Sequence, residues 1–339
     1  MSDYRETVTD SSESTPPTDN ERFVDDYADN PSAFLALNAG NSYFSSPGLD
    51  GVVTYRRSGG HLVQFGGPFA APGDYDELVR RFHAFAQAQR CKVVAIQLQR
   101  HDATAYAGHG YTVNQIGSSY ALSVSDFSLK GSKFMQLRNK ISRATRAGLV
   151  VEEVHQPDWA KRMTELDSSW LLSKGKHAKP LEFLVGQYGG AFQRRRRLFV
   201  GLLDGALAGY ISFSPVPGRQ PGWLHDLSRR LPSGPPGIME AINLAAIEQF
   251  RSEGVPWLHF GFTPFTGLSP EHEVSSASGA FGWLGRQLRA RGASVYPAAT
   301  QLAYKQKWGC QLVIPEYIGF SGRASLIGFL QVFKVSNAL

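Results

Sequence analysis

The sequence is poor in the residues from which most chemical signatures are built. Two cysteines in 339 residues, Cys91 and Cys310, supply neither a disulfide framework nor a thiolate metal site. No run of eighteen apolar residues occurs, so no membrane span is expected. The opening MSDYRETVTDSSESTPPTDNERF has no apolar core of a signal peptide. HExxH, the P-loop, G-x-S-x-G and a GxGxxG following a strand are all missing. The nine histidines are scattered without metal-ligand spacing. No metal site is expected, and the cytoplasm is the default location. One stretch also lacks acid entirely: GSKFMQLRNKISRATRAG, residues 131–148, carries Lys133, Arg138, Lys140, Arg143 and Arg146 and no carboxylate.

The charge that is present is unevenly placed. The formal net charge is +6, yet residues 1–30 hold nine acids and two arginines. Residues 31–339 therefore carry a net +13. So basic a body suits nucleic acid, an anionic surface or an anionic substrate. Residues 1–21, rich in Ser, Thr, Pro and acid, read as a disordered tail.

Beyond the tail one order of elements occurs twice. GVVTYRRSGGHLVQFGG predicts a hairpin about Gly59-Gly60. A Gly/Pro loop follows, then a helix opened by an Asp74/Glu77 capping box with Leu78, Phe82 and Phe85 on one face. The buried strand KVVAIQL comes next, and then GYTVNQIGSSYALSV, read as two strands. After residue 197 a hairpin about Asp204-Gly205 leads to the strand GWLHDLSRR and the loop LPSGPPG. A helix with Met239, Ile242, Ala246 and Phe250 on one face stops at Gly254, and the strand PWLHFGF closes the series. The repetition predicts an α+β protein with two domains of like topology. The helix within 131–148 joins them, with Phe134, Leu137, Ile141 and Ala144 as its apolar stripe and its cations facing solvent. A solvated helix face ordinarily mixes signs to gain i,i+4 pairs. This one gains none, which points to a polyanion.

The densest polar cluster is HDLSRRLPSGPPGIME, 225–240. A Gly-rich turn entering a helix presents free N–H groups to an anion, and Arg229 and Arg230 beside it suit a phosphate. Asp226 suits an ammonium. A capped helix with surface arginines is the plain alternative. YKQKWG reads as a strand with Lys305 and Lys307 on one face. RRRR at 194–197 reads as an exposed loop.

Four blocks, NPSAFLALNAGNSYFSSPGLDGVVTYRR, FSLKGSKFMQLRNKISRATRAG, LHDLSRRLPSGPPGIMEAINLAAIE and YKQKWG, together resemble the C-terminal catalytic domain of the phosphatidylglycerol lysyltransferases, over about residues 22–320. The resemblance implies tandem duplicated acetyltransferase-like (GNAT-like) domains: an N-terminal acceptor-side domain at 22–128, a basic connecting helix at 129–149, and an aminoacyl-tRNA-side domain at 150–339. It implies an aminoacyl-tRNA-dependent transferase with no metal and no CoA. Lys133, Arg138, Lys140, Arg143 and Arg146 then meet tRNA. Asp226, Arg229, Arg230, Gly237, Glu240, Lys305 and Lys307 match the family's motif positions. The chain lacks the family's membrane region and has His225 and FGFTPF where the family differs. It is similar in this to soluble members that act in natural-product assembly, one of which takes serine from seryl-tRNA in valanimycin biosynthesis.

The expected reaction moves an amino acid, serine among the candidates, from charged tRNA to a hydroxyl, amine or hydroxylamine of a small-molecule acceptor. The ester is already activated, so positioning and oxyanion stabilisation suffice. Arg229, Arg230 and the helix start at Gly237 take the 3′-terminal phosphates, Asp226 or Glu240 the α-ammonium, Lys305 or Lys307 the phosphates or oxyanion, and His225 serves as general base. Asp226→Ala is expected to abolish transfer with the fold intact. The alternatives are an acyl-CoA-dependent N-acyltransferase, a non-catalytic RNA-binding module, and a peripheral lipid aminoacyltransferase, although the sequence shows no amphipathic anchor with exposed Trp or Phe.

Overall fold

The computed structural model describes residues 19–155, 159–175, 178–291 and 298–338. The acidic stretch read as a tail lies outside the described residues up to residue 18. Its last residues already belong to helix α1 (Asp19–Tyr27), where Glu21 is buried.

The first half runs β1 (Ser42–Phe44), β2 (Gly51–Ser58), β3 (His61–Ala70), α2 (Tyr75–Ala88), β4 (Lys92–Leu98), α3 (Arg100–Gly108) and β5 (Tyr111–Ser123). Helix α4 (Met135–Arg146) then leads to β6 (Val150–Val154), α5 (Ala160–Lys174), β7 (Arg197–Leu203), β8 (Ala206–Val216), β9 (Gly222–Arg230), α6 (Ile238–Ser252) and β10 (Trp257–Pro264). The chain ends in α7 (Gly279–Arg291), α8 (Ala298–Gln306), β11 (Leu312–Ser321) and α9 (Leu326–Val335).

Both hairpins fall where their turn residues put them. Asp204 and Gly205 adopt φ of 48° and 76°, the left-handed pair that matches strand twist. The repeat is real in space: β3 and β4 pair in parallel through α2, and β9 and β10 pair in parallel through α6. The fold is α+β with two acetyltransferase-like halves in tandem.

Three local expectations are corrected. GYTVNQIGSSYALSV forms one strand of 13 residues. Gly117, in its middle, lies where a neighbour comes close, since a Cβ there would meet the Thr263 carbonyl oxygen. The Asp74/Glu77 capping box does not form. Asp74 accepts from the Asp50 N–H at 2.8 Å, and Glu77 turns outward to Arg80 and Arg81.

The third correction concerns the domains. One eleven-stranded sheet crosses the molecule in the order β1-β2-β3-β4-β11-β5-β10-β9-β8-β7-β6. Strand β11, from the end of the chain, lies between β4 and β5 of the first half, and β5 lies between β11 and β10. The halves thus exchange their last strands, and 312–335 completes the first half rather than the second. Helix α9 packs over β2, β3 and β4. Alternation along these strands sends Val53, Leu62 and Val93 to the α2 side and Val52, Val63 and Val94 to the α9 side. In the second half Ile242, Ala246 and Phe250 of α6 bury against Phe199, Phe213 and Leu258.

The connecting helix forms as its pattern predicts. Phe134, Leu137 and Ala144 are buried, and Gly148 ends the helix at φ 86°.

Candidate active site

The site begins where two strands stop pairing. β9 and β10 are partners only from Gly222–Leu224 to Trp257–His259. Past that point β10 bulges at Phe260, with Gly261 at φ 72°, and the strands separate. The wedge opens into a cavity of about 710 Å³ between the halves. His225 and Asp226 are the first residues of β9 beyond the last pair. Leu35, Ile96 and Ile116 of the first half and Phe329, Val332 and Phe333 of α9 line the same cavity, so much of its wall is apolar.

Lys305 closes the bulge. YKQKWG is not a strand: Lys305 lies in the last turn of α8 and Lys307 in the turn after it. The Lys305 side chain is buried, and Nζ donates to the Gly261 and Phe262 carbonyls at 2.6 and 2.9 Å, just past the bulge, where β10 still pairs with β5 but no longer with β9. Burial pulls its pKa down to about 7, against the attraction of Glu316. Glu316, fully buried on β11, accepts from the Ser119 hydroxyl through Oε1, and burial pushes its carboxyl up to about 7.

His225 has a fixed tautomer. The Asn243 amide donates to the Met239 carbonyl and to the Tyr304 hydroxyl, so its Oδ1 remains an acceptor. His225 Nδ1, 3.2 Å away, must carry the proton, and Nε2 keeps its lone pair. Phe213, Phe260 and Tyr304 surround the ring. Burial lowers its pKa to about 4, which makes it a neutral acceptor and a weak base.

The Asp226 side chain is fully buried, and Oδ2 pairs with Arg196 Nε at 3.1 Å. Arg196 also donates to Asn38 of the first half at 2.8 Å. RRRR is therefore not an exposed loop: Arg195 pairs with Glu21 and Asp25, Arg197 with Glu153 and Glu253, and Arg196 is interior. Burial raises the Asp226 carboxyl and Arg196 opposes the rise. Oδ1 lacks a hydrogen bond of good geometry among the described residues, the Ser212 and Ser214 hydroxyls nearby act with Arg196 to lower the carboxyl, and Asp226 lines the cavity.

Arg229 and Arg230 stand at the cavity mouth. The Arg229 guanidinium lies 4.2 Å over the Trp170 ring, with Nε 3.9 Å from Asp167. Asp167 in turn accepts from the Tyr210 hydroxyl at 2.6 Å. Trp170, Asp167, Arg196 and Asn38 were missed in sequence because they come from three separate stretches. Only the unmixed RRRR run gave a signal.

Gly237, Glu240 and Lys307 do not reach the cavity. They form the seam between α4 and α6. Gly237 has φ 103°, and a Cβ there would lie 2.0 Å from the Lys140 carbonyl oxygen. Glu240 is paired with Lys307 at 2.6 Å and Lys140 at 3.4 Å. The helix start is thus packed against α4 and holds the basic helix in place. On the outer side of α4, Lys133, Arg143 and Arg146 are exposed. Arg138 is exposed as well and caps the Leu129 and Gly131 carbonyls. No helix among the described residues is long and apolar enough to cross a membrane.

The family described as "Phosphatidylglycerol lysyltransferase, C-terminal" matches residues 21–320. The chain is 26% identical over 249 residues to the lysylphosphatidylglycerol biosynthesis bifunctional protein LysX of Rhodococcus jostii, covering 72% of this chain and 22% of that protein. It spans about a fifth to a quarter of the length of this and two other curated relatives it matches. Two solved structures share its fold at 19% identity. One is the C-terminal domain of a putative lysylphosphatidylglycerol synthetase from Agrobacterium fabrum, with a TM-score of 0.76 over 95% of this chain and 97% of that one. The other is L-PGS from Bacillus licheniformis, with a TM-score of 0.74 over 97% and 99%.

Proposed function

We propose that this chain, which belongs to the phosphatidylglycerol lysyltransferase C-terminal family, moves an amino acid from aminoacyl-tRNA to a nucleophile carried on an apolar body. One observation carries this reading: Asp226, Arg229, His225 and Lys305 all line one cavity, at the point where β9 and β10 separate. Asp226 Oδ1, the oxygen not paired with Arg196, takes the α-ammonium of the amino acid. Arg229, held by Trp170 and Asp167, and Arg230 take the terminal phosphates at the mouth. The exposed cations of α4 carry the body of the RNA.

His225 Nε2 accepts a hydrogen bond from the attacking hydroxyl or amine and orients it. With its pKa near 4 it is a poor match for proton removal at neutral pH, whereas an amine near 7 is a good one. The free amine of Lys305 takes the nucleophile's proton as the new bond to the carbonyl carbon forms. When the tetrahedral intermediate collapses, the ester C–O bond breaks and the Lys305 ammonium returns the proton to the departing ribose oxygen. A neutral hydroxylamine or amine acceptor leans less on this step than a hydroxyl does.

The apolar wall favours an acceptor with hydrocarbon, such as a lipid, over a small polar molecule from natural-product assembly. Acyl-CoA is not favoured, since RRLPSGPPG has Pro where a pyrophosphate loop needs Gly, and its Gly237 turn is packed against Lys140. The deciding assay incubates the protein with a pool of charged tRNAs and adds candidate acceptors of rising chain length. Acceptor-dependent loss of one aminoacyl-tRNA, faster with longer chains, is expected. No acceptor-dependent deacylation, or turnover of acyl-CoA instead, rejects the reading.

A further inference from the structure

We infer that the outer face of α9 seats this protein on an anionic lipid surface. Helix α9 has two apolar sides. Inward, Phe329, Val332 and Phe333 form part of the cavity wall. Outward, Leu326, Ile327 and Leu330 are 57%, 66% and 41% exposed. Leu326 and Leu330 lie four residues apart with Ile327 beside them, which gathers them on one stripe. Lys334 continues the stripe at the next turn, and Arg323 precedes the helix; both are exposed. The segment LIGFLQVFKV holds no acid, and Glu182, at its C-terminal end, is paired with Arg56 at 2.7 Å.

An exposed apolar stripe with cations at both ends matches a headgroup layer above hydrocarbon. The cavity opens beside it: Leu181, 39% exposed, and Ser336 both line the cavity, and the Glu182 N–H donates to the Ser336 carbonyl at 3.1 Å. The stripe, the helix and the cavity rim at Leu181 and Ser336 are continuous, so an acceptor leaving a lipid surface enters the apolar wall without crossing water. Helix α9 packs on the first half and the cationic α4 on the second, which leaves the RNA face free while α9 is docked. The inference deepens the acceptor reading above by naming the surface from which the acceptor comes.

The test is co-sedimentation of the full chain with phosphatidylcholine vesicles and with phosphatidylcholine–phosphatidylglycerol vesicles. Ile327→Glu/Leu330→Glu alters only the outward side chains, and circular dichroism checks that the fold persists. Wild type is expected to bind the anionic vesicles, and the double variant to lose about tenfold or more in affinity. Acceptor-dependent deacylation with a water-soluble acceptor is expected to be the same in both. Equal vesicle binding by both proteins, or none by wild type, overturns the inference. So does a wild-type dimer that the variant dissociates without any effect on vesicles, because the stripe then covers a second copy. If vesicle binding behaves as expected but no acceptor ever drives deacylation, the transfer reading fails and the docking face stands.

Discussion

Lys305 and Asp226 are both buried charges, but their burial has different consequences. Lys305 donates to two carbonyls and faces a carboxyl that resists ionising, so its free amine is populated near neutrality. Transfer to a hydroxyl acceptor should therefore rise with pH through about 7 and level off above it. Lys305→Met should remove that inflection and lower the rate by about two to four orders of magnitude. A profile that falls through 7 would mean that the ammonium is the working form. Asp226 is also half of an interior ion pair. Removing it leaves Arg196 charged and uncompensated, which costs about 3–5 kcal/mol. The expectation that Asp226→Ala leaves the fold intact is thereby revised: its melting temperature should drop as well as its activity. Arg196→Met in the same chain should restore much of the stability and none of the transfer, as thermal melts and single-turnover assays can show. Their pairing was not legible in sequence, since Arg196 and Asp226 are 30 residues apart and burial alone turns a basic run into a single interior contact.

At the scale of elements, α4 was readable and its support was not. The apolar stripe and the acid-free outer side follow from spacing. What fixes the helix is the seam with α6, where Gly237, Glu240 and Lys307 were read as substrate ligands. Lys133, Arg143 and Arg146 make no ion pair with a described residue, so replacing them with Gln tests RNA binding cleanly. Affinity should fall, and the slope of log K against log salt should shrink by about 0.9 for each phosphate no longer neutralised. Gly237→Ala tests the seam: a methyl group against the Lys140 carbonyl, at positive φ, should cost more than about 2 kcal/mol and weaken RNA binding without touching a cation. If filter binding shows full affinity in a destabilised Gly237→Ala, α4 is not the RNA platform. YKQKWG shows the limit of pattern at this scale, because two-residue alternation of lysines fits a strand and equally the frayed end of a helix.

For the whole molecule, the exchange of β5 and β11 makes the two halves one folding unit. Unfolding should be a single cooperative transition by calorimetry and by circular dichroism. A chain cut after residue 310 should not fold, because it loses a strand from the centre of the sheet. A stable, separately folded 150–339 fragment would contradict this. The sequence by itself determined the hairpins, the repeated order of loop, helix and strand, the basic helix and the blocks that carry the family. Each of these rests on local periodicity and turn chemistry, which neighbouring residues dictate. Only the tertiary structure decided that the last strand belongs to the first half, that Arg196 meets Asp226, that Lys305 fills a bulge in β10, and that α9 turns one apolar side to the cavity and the other to solvent. These depend on strand pairing and burial between segments far apart in the chain, and nothing local encodes which distant partner a side chain will meet.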